Sequence, residues 1–173
     1  MAADPAPFIL TLILDDTSQA RFDTLRTAHF PADRLVVGAH VTLFHALPSD
    51  LDISDAARQA AAEAPFPVQV TGLRFLGHGV AFVLNSARLQ RLREGFRARW
   101  AARLTPQDRQ AWRPHVTIQN KVEPAVAKAL HMQMSAGFMP YEVIAIGLHL
   151  WIYRNGPWQA AGAFPFKSDR FDD

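Results

Sequence analysis

The chain has 173 residues, 49% of them hydrophobic, which is enough to bury the core of one compact domain and excludes disorder as its default state. It contains no cysteine, which excludes a disulfide framework, a thiolate metal site and a thiol nucleophile. The formal charge of +2 is unevenly spread: ten Lys/Arg against two acidic residues between Arg74 and Lys121 give that stretch +8 and leave −6 elsewhere, which suits either a polyanionic partner or the solvated flank of a helix.

The N-terminus lacks the basic leader and long apolar run of a secretory signal. The apolar run Phe8–Leu14 is broken by Thr11 and closed by Asp15-Asp16, so it reads as the first strand of a cytoplasmic protein with no membrane segment. A helix over 18–28, a strand over 40–46, a helix over 53–64 and a strand over 68–75 follow. The turn Gly77-His78-Gly79 is too short for a flexible linker. Beyond it come a strand over 80–85, a helix over 87–104 with Leu89, Leu92, Phe96 and Trp100 on its apolar stripe, and a strand over 115–120. A helix over 124–134, a strand over 141–153 and a last strand near 158–164 complete the chain.

Each half therefore reads strand, helix, strand, helix, strand, and the third element of each carries the same pattern. His40-Val41-Thr42-Leu43 in the first half returns in the second as His115-Val116-Thr117-Ile118. Composition gives roughly 0.6 instances of His-x-Ser/Thr, and fewer with apolar neighbours on both sides, so a repeat-related pair stands above chance. In a strand the imidazole and hydroxyl of each copy share one face while Val41/Leu43 and Val116/Ile118 take the other. Two such strands facing one another would bring two imidazoles and two hydroxyls to one point, an arrangement suited to a phosphate group.

Strand parity extends this face. Phe44 is placed in the groove with His40 and Thr42, and His45 on the opposite side. In the strand over 141–153 the wholly apolar face Ile144, Ile146, Leu148, Leu150 and Ile152 should lie under helices, leaving His149, Trp151 and Tyr153 to line a nucleoside pocket. Arg113 and Lys121 bracket the second motif and can steer phosphate. No His-Glu-x-x-His or acidic cluster is present, so neither metal nor cofactor is expected, and no Gly-rich phosphate loop or Gly-x-Ser-x-Gly elbow occurs.

His40-Val41-Thr42-Leu43 and Arg113-Pro114-His115-Val116-Thr117-Ile118, in duplicated α/β halves of this length, resemble the two-histidine phosphoesterases, specifically the bacterial 2'-5' RNA ligase-like or RNA 2',3'-cyclic phosphodiesterase group. The resemblance implies an α+β fold: a single bilobal domain over 1–173, with lobes from the repeats 8–76 and 80–166, antiparallel-rich sheets facing a central cleft, and helices outside. It implies metal-independent catalysis by His40, Thr42, His115 and Thr117, with His40 protonating the leaving oxygen and His115 activating water. Many members that act on RNA carry an Arg after the second motif and Leu-Gly after the first, where this chain has Gln119-Asn120 and His45-Ala46-Leu47.

An imidazole with an ordinary pKa of about 6.5 serves as acid or base near neutrality, and hydroxyls can bind non-bridging oxygens where charge builds. The expected activity is opening of 2',3'-cyclic phosphates on nucleotides or RNA ends to 2'-phosphates, with 2'-5' ligation as the reverse. The expected protein is a monomer whose partner is the phosphodiester substrate. The alternatives are a module that holds an RNA end or nucleotide without turning it over, and a structural protein that keeps the fold without a substrate.

Overall fold

A computed structural model describes residues 5–168. The order is β1 (Phe8–Leu14), α1 (Asp16–His29), β2 (Val41–Leu47), α2 (Ile53–Ala60), β3 (Phe66–Phe75), β4 (Val80–Asn85), α3 (Ala87–Arg99), the short α4 (Pro106–Arg109), β5 (His115–Gln119), α5 (Pro124–Ala136), β6 (Tyr141–Ile152) and β7 (Gln159–Pro165). Helix starts follow their caps: the Asp15 carboxylate accepts the Ser18 N–H at 3.1 Å, and the Ser86 hydroxyl accepts the Leu89 N–H at 3.2 Å. The helix expected to reach residue 104 stops at Arg99, and a 3-10 turn over Ala101–Arg103 follows. α4 falls where the sequence shows no periodicity.

All strand pairs are antiparallel, in the order β2-β1-β6-β3-β4-β5, with β7 also on β6. From the centre outwards the two sides read β6-β1-β2 and β3-β4-β5. Each side therefore takes its innermost strand from the other half of the chain, so the repeats 8–76 and 80–166 are interleaved in space rather than folded as separate lobes. Pairing of Phe66–Val70 with Tyr141–Ala145 joins the sides into one sheet, and one hydrophobic core runs beneath both. The sheet curls so that its two ends, β2 and β5, approach each other.

Curling is accompanied by bulges, which add a residue to one strand and reverse its side-chain parity. One lies in β2, where Leu10 pairs with Phe44 but Thr11 with Thr42. A second lies in β5, where Val80 pairs with Gln119 but Ala81 with Thr117. A third lies in β6, where Ile13 pairs with Gly147 but Leu14 with Ala145. The uniform apolar face expected for β6 is therefore split. Val143 and Ala145 enter the core, the parity switches at Ile146, and Leu148 and Leu150 continue it, while Ile144 and Ile146 are half-exposed.

Part of the charge asymmetry is neutralised within the fold. Arg88, Arg97, Arg99 and Arg103 of the basic stretch pair with Glu63, Glu94, Asp52 and Asp50. Among the described residues no helix is long and apolar enough to cross a membrane.

Candidate active site

The two motifs are built alike. In β2 and its approach, His40 and Thr42 are half-buried and Val41, Leu43 and Phe44 fully buried; in β5, His115 and Thr117 are half-buried and Val116, Ile118 and Gln119 buried. His40 Nδ1 lies 2.8 Å from the Gly38 carbonyl, and His115 Nδ1 lies 2.8 Å from the Arg113 carbonyl. A carbonyl can only accept, so both Nδ1 atoms carry hydrogen and each neutral ring presents a basic Nε2 to the groove.

Cross-links hold the two strands in relation. Arg26 of α1, buried, donates from Nε to the Val37 carbonyl at 3.1 Å and from Nη1 to the Thr117 carbonyl at 2.7 Å. Buried Arg93 of α3 donates to the Leu43 carbonyl at 3.3 Å, and Trp112 Nε1 donates to the Thr42 carbonyl at 3.0 Å. Helices and the second-motif lead-in thus fix the backbones of both motif strands.

The two rings also share an electrostatic neighbourhood. Burial, then the charges of Arg26, His115 and His45, push the His40 imidazole down from 6.5 to about 4, against the opposing pull of the Gly38 carbonyl. Burial also lowers His115, helped by Arg74 and His45 and opposed by the Arg113 carbonyl. Among the described residues no cluster of three His, Cys, Asp or Glu side chains could hold a metal ion.

A cleft of about 480 Å³ opens beside His40, walled by Thr11, Gln19, Gly38, His149, Trp151 and Trp158. The Trp158 ring lies 4.7 Å from the His40 ring, Trp151 lies 6.0 Å from Trp158, and Trp151 Nε1 donates to the Thr11 hydroxyl at 2.9 Å. Burial lowers the His149 imidazole. The cleft walls include neither Thr42 nor any second-motif residue, so it is a flank of the site on the first-motif side.

The remaining expected residues divide. Phe44 is fully buried against Phe96, Trp100 and the Arg93 guanidinium, because the β2 bulge turns it from the groove into the core. His45, placed on the far side by simple alternation, is turned towards the groove by the same bulge and acts on both motif rings. Tyr153 lies beyond the end of β6, exposed and outside the cleft, its backbone tied to Pro7. Arg113 offers its carbonyl to His115, and its side chain is exposed. Lys121 is exposed in a left-handed turn at φ 61°.

Four residues lay outside the expected set: His45, Asp108, Trp158 and Arg74. Thr42, Thr11 and His149 stand opposite one another across three strands, and Thr117, Ala81 and Arg74 do the same in the other side. Arg74 thus occupies the place that His149 holds on the first side, at the same sequence offset that separates the motifs, and among the described residues no carboxylate pairs with it. The repeat offset carried that signal. Nothing in the alternation marked His45.

Residues 14–157 match the family described as the 2'-5' RNA ligase superfamily. The chain belongs to that superfamily. Its fold is similar to TT0787 of Thermus thermophilus, at 17% identity and a TM-score of 0.63, over 95% of this chain and 100% of that one. It is also similar to E. coli LigT complexed with 3'-AMP, at 16% identity and a TM-score of 0.60, over 95% and 99% of the two chains. LigT complexed with NADP+ matches at 15% identity and a TM-score of 0.55, over 94% and 98%. No curated protein matches the sequence. Superfamily membership agrees with the resemblance drawn from the two motifs, and the curled antiparallel sheet with outer helices agrees with the expected fold.

Proposed function

We propose that this superfamily member opens 2',3'-cyclic phosphates of nucleotides or RNA ends to 2'-phosphates, using His40 and His115 as the acid-base pair and Thr42 and Thr117 as hydroxyl donors. The observation that carries this reading is the matched orientation of the two imidazoles, each with Nδ1 on the carbonyl two residues back and Nε2 without a partner among the described residues, on strands from the two ends of a curled sheet.

In the forward direction, water attacks phosphorus as one Nε2 takes its proton, and the bond from phosphorus to the 3'-oxygen breaks as the other Nε2–H delivers a proton to that oxygen. The two hydroxyls bind the non-bridging oxygens, where negative charge builds. The pair must hold one proton between them. Both rings lie below 6.5 in the free protein, and a bound phosphate anion favours imidazolium, so binding itself loads the proton. With a ribose hydroxyl in place of water, the same pair working in the same direction joins that hydroxyl to phosphorus as the bond to the 3'-oxygen breaks.

The aromatic cleft beside His40 suits a nucleobase, stacked on Trp158 and bordered by His149 and Trp151. Nucleotides are also the class bound by LigT in its complexes with 3'-AMP, ATP and NADP+. The test is turnover of 2',3'-cyclic AMP and of an oligoribonucleotide ending in a cyclic phosphate, in EDTA. The expected result is a 2'-phosphate product from the wild type and its loss in His40→Ala and His115→Ala. Unchanged turnover in both variants would refute the assignment.

A further inference from the structure

α4 has four residues, and its one deeply buried side chain is a carboxylate: Asp108 is 1% exposed. That carboxylate accepts the His45 backbone N–H at 2.9 and 3.1 Å, the Ala46 N–H at 3.0 Å and the His45 Nδ1–H at 3.2 Å. The Thr105 hydroxyl caps the Asp108 N–H at 3.2 Å, and Arg93 of α3 donates to the Asp108 carbonyl at 2.6 Å. Burial alone would raise this carboxyl; the His45 ring and the two backbone N–H groups hold it below its ordinary 3.8. A cap, a buried arginine and a strand edge thus converge to fix one carboxylate against one imidazole. A casual surface contact between His and Asp needs none of that construction.

The far side of the imidazole is open. The His45 side chain is 41% exposed and, by the β2 bulge, turned to the groove. The second side has no equivalent, since the repeat-related position is Asn120.

We propose that His45, held by Asp108, is a third imidazole of the site, which binds a phosphate oxygen of the substrate through its Nε2–H. This deepens the reading of the groove as a phosphodiester site and rests on it. His45 neither takes nor gives the reacting proton. With Asp108 accepting at Nδ1 and a phosphate oxygen at Nε2, both ring N–H groups would be satisfied. The charged and titratable groups facing it are Asp108 from α4, Arg93 from α3, and His40 and His115 across the groove.

The probe is inorganic phosphate, titrated calorimetrically into the full chain, for wild type, His45→Gln and Asp108→Asn. His45→Gln is expected to weaken phosphate binding about ten- to a hundredfold, the scale of one charge-assisted hydrogen bond. It should act on cyclic phosphate turnover mainly through KM. Asp108→Asn should act in the same direction. If loss of the buried carboxylate unfolds that variant, His45→Gln carries the test, because its ring is partly solvent-exposed. A folded His45→Gln protein that binds phosphate with wild-type affinity overturns the inference. A wild type that binds phosphate through His45 but leaves cyclic phosphates intact overturns the catalytic reading and supports this one.

Discussion

The two sides of the sheet hold the same motif and surround it differently. Around His40 and His115 the burial pattern, the 2.8 Å hydrogen bond to the carbonyl two residues back and the following bulge all repeat. Beyond the motifs, each repeat-related pair diverges: Phe44 against Gln119, His45 against Asn120, and His149 against Arg74. What repeats is a pair of matched His-x-Thr strands, which in the proposed reaction handle one phosphorus centre from opposite flanks. What differs can distinguish one end of a substrate from the other: an aromatic cleft beside the first motif, the Arg74 cation beside the second.

The hardest way to break the symmetry is to remove one imidazole. His40→Ala and His115→Ala should each cut kcat roughly 10²–10⁴-fold, and the double variant should be little worse than either, because the pair works as a unit. Steady-state kinetics on 2',3'-cyclic AMP measure this.

The two bulge positions are packed differently. Phe44→Ala empties a fully packed aromatic site and should cost about 3–5 kcal/mol in denaturant unfolding. Its counterpart Gln119 is buried with Oε1 unpartnered among the described residues, so Gln119→Leu should instead add about 1 kcal/mol. Equal losses at both positions would mean that the two bulges are not packed as described.

The flanks should separate next. Trp158→Ala is expected to raise KM for a cyclic nucleotide about tenfold while sparing affinity for inorganic phosphate. Arg74→Ala should weaken phosphate and nucleotide alike, and should raise the His115 pKa by removing a like charge.

The pH dependence gives the smallest effect. With both rings below 6.5, the singly protonated pair prevails on the acid side, so kcat/KM should peak below pH 6.5 and decline above it. The profile of kcat, which reports the complex, should lie at higher pH. Stability runs the opposite way. The unfolded chain binds a proton at His40 between pH 6.5 and about 4 that the folded protein does not, so stability falls as pH falls through that window. His40→Asn should flatten that slope.

Much of this was legible in the sequence. The alternation of His40, Val41, Thr42 and Leu43, repeated from His115 to Ile118, placed both motifs on half-buried strands. Periodicity failed at the bulges, because one inserted residue reverses every side chain after it. That reversal put Phe44 in the core, His45 in the groove, and Ile144 and Ile146 partly in solvent. The exchange of β3 and β6 was equally hidden, since a repeat in sequence does not say which copy its last strand pairs with. Asp108 lay on a single turn too short to show any period.

The central claim is that imidazoles from the two motif strands grip one phosphate. Ring-proton NMR titration of His40 and His115, with and without inorganic phosphate, tests it most directly. Both pKa values should lie below 6.5 in the free protein and both should rise together when phosphate binds. A rise at one ring with the other unmoved would contradict it.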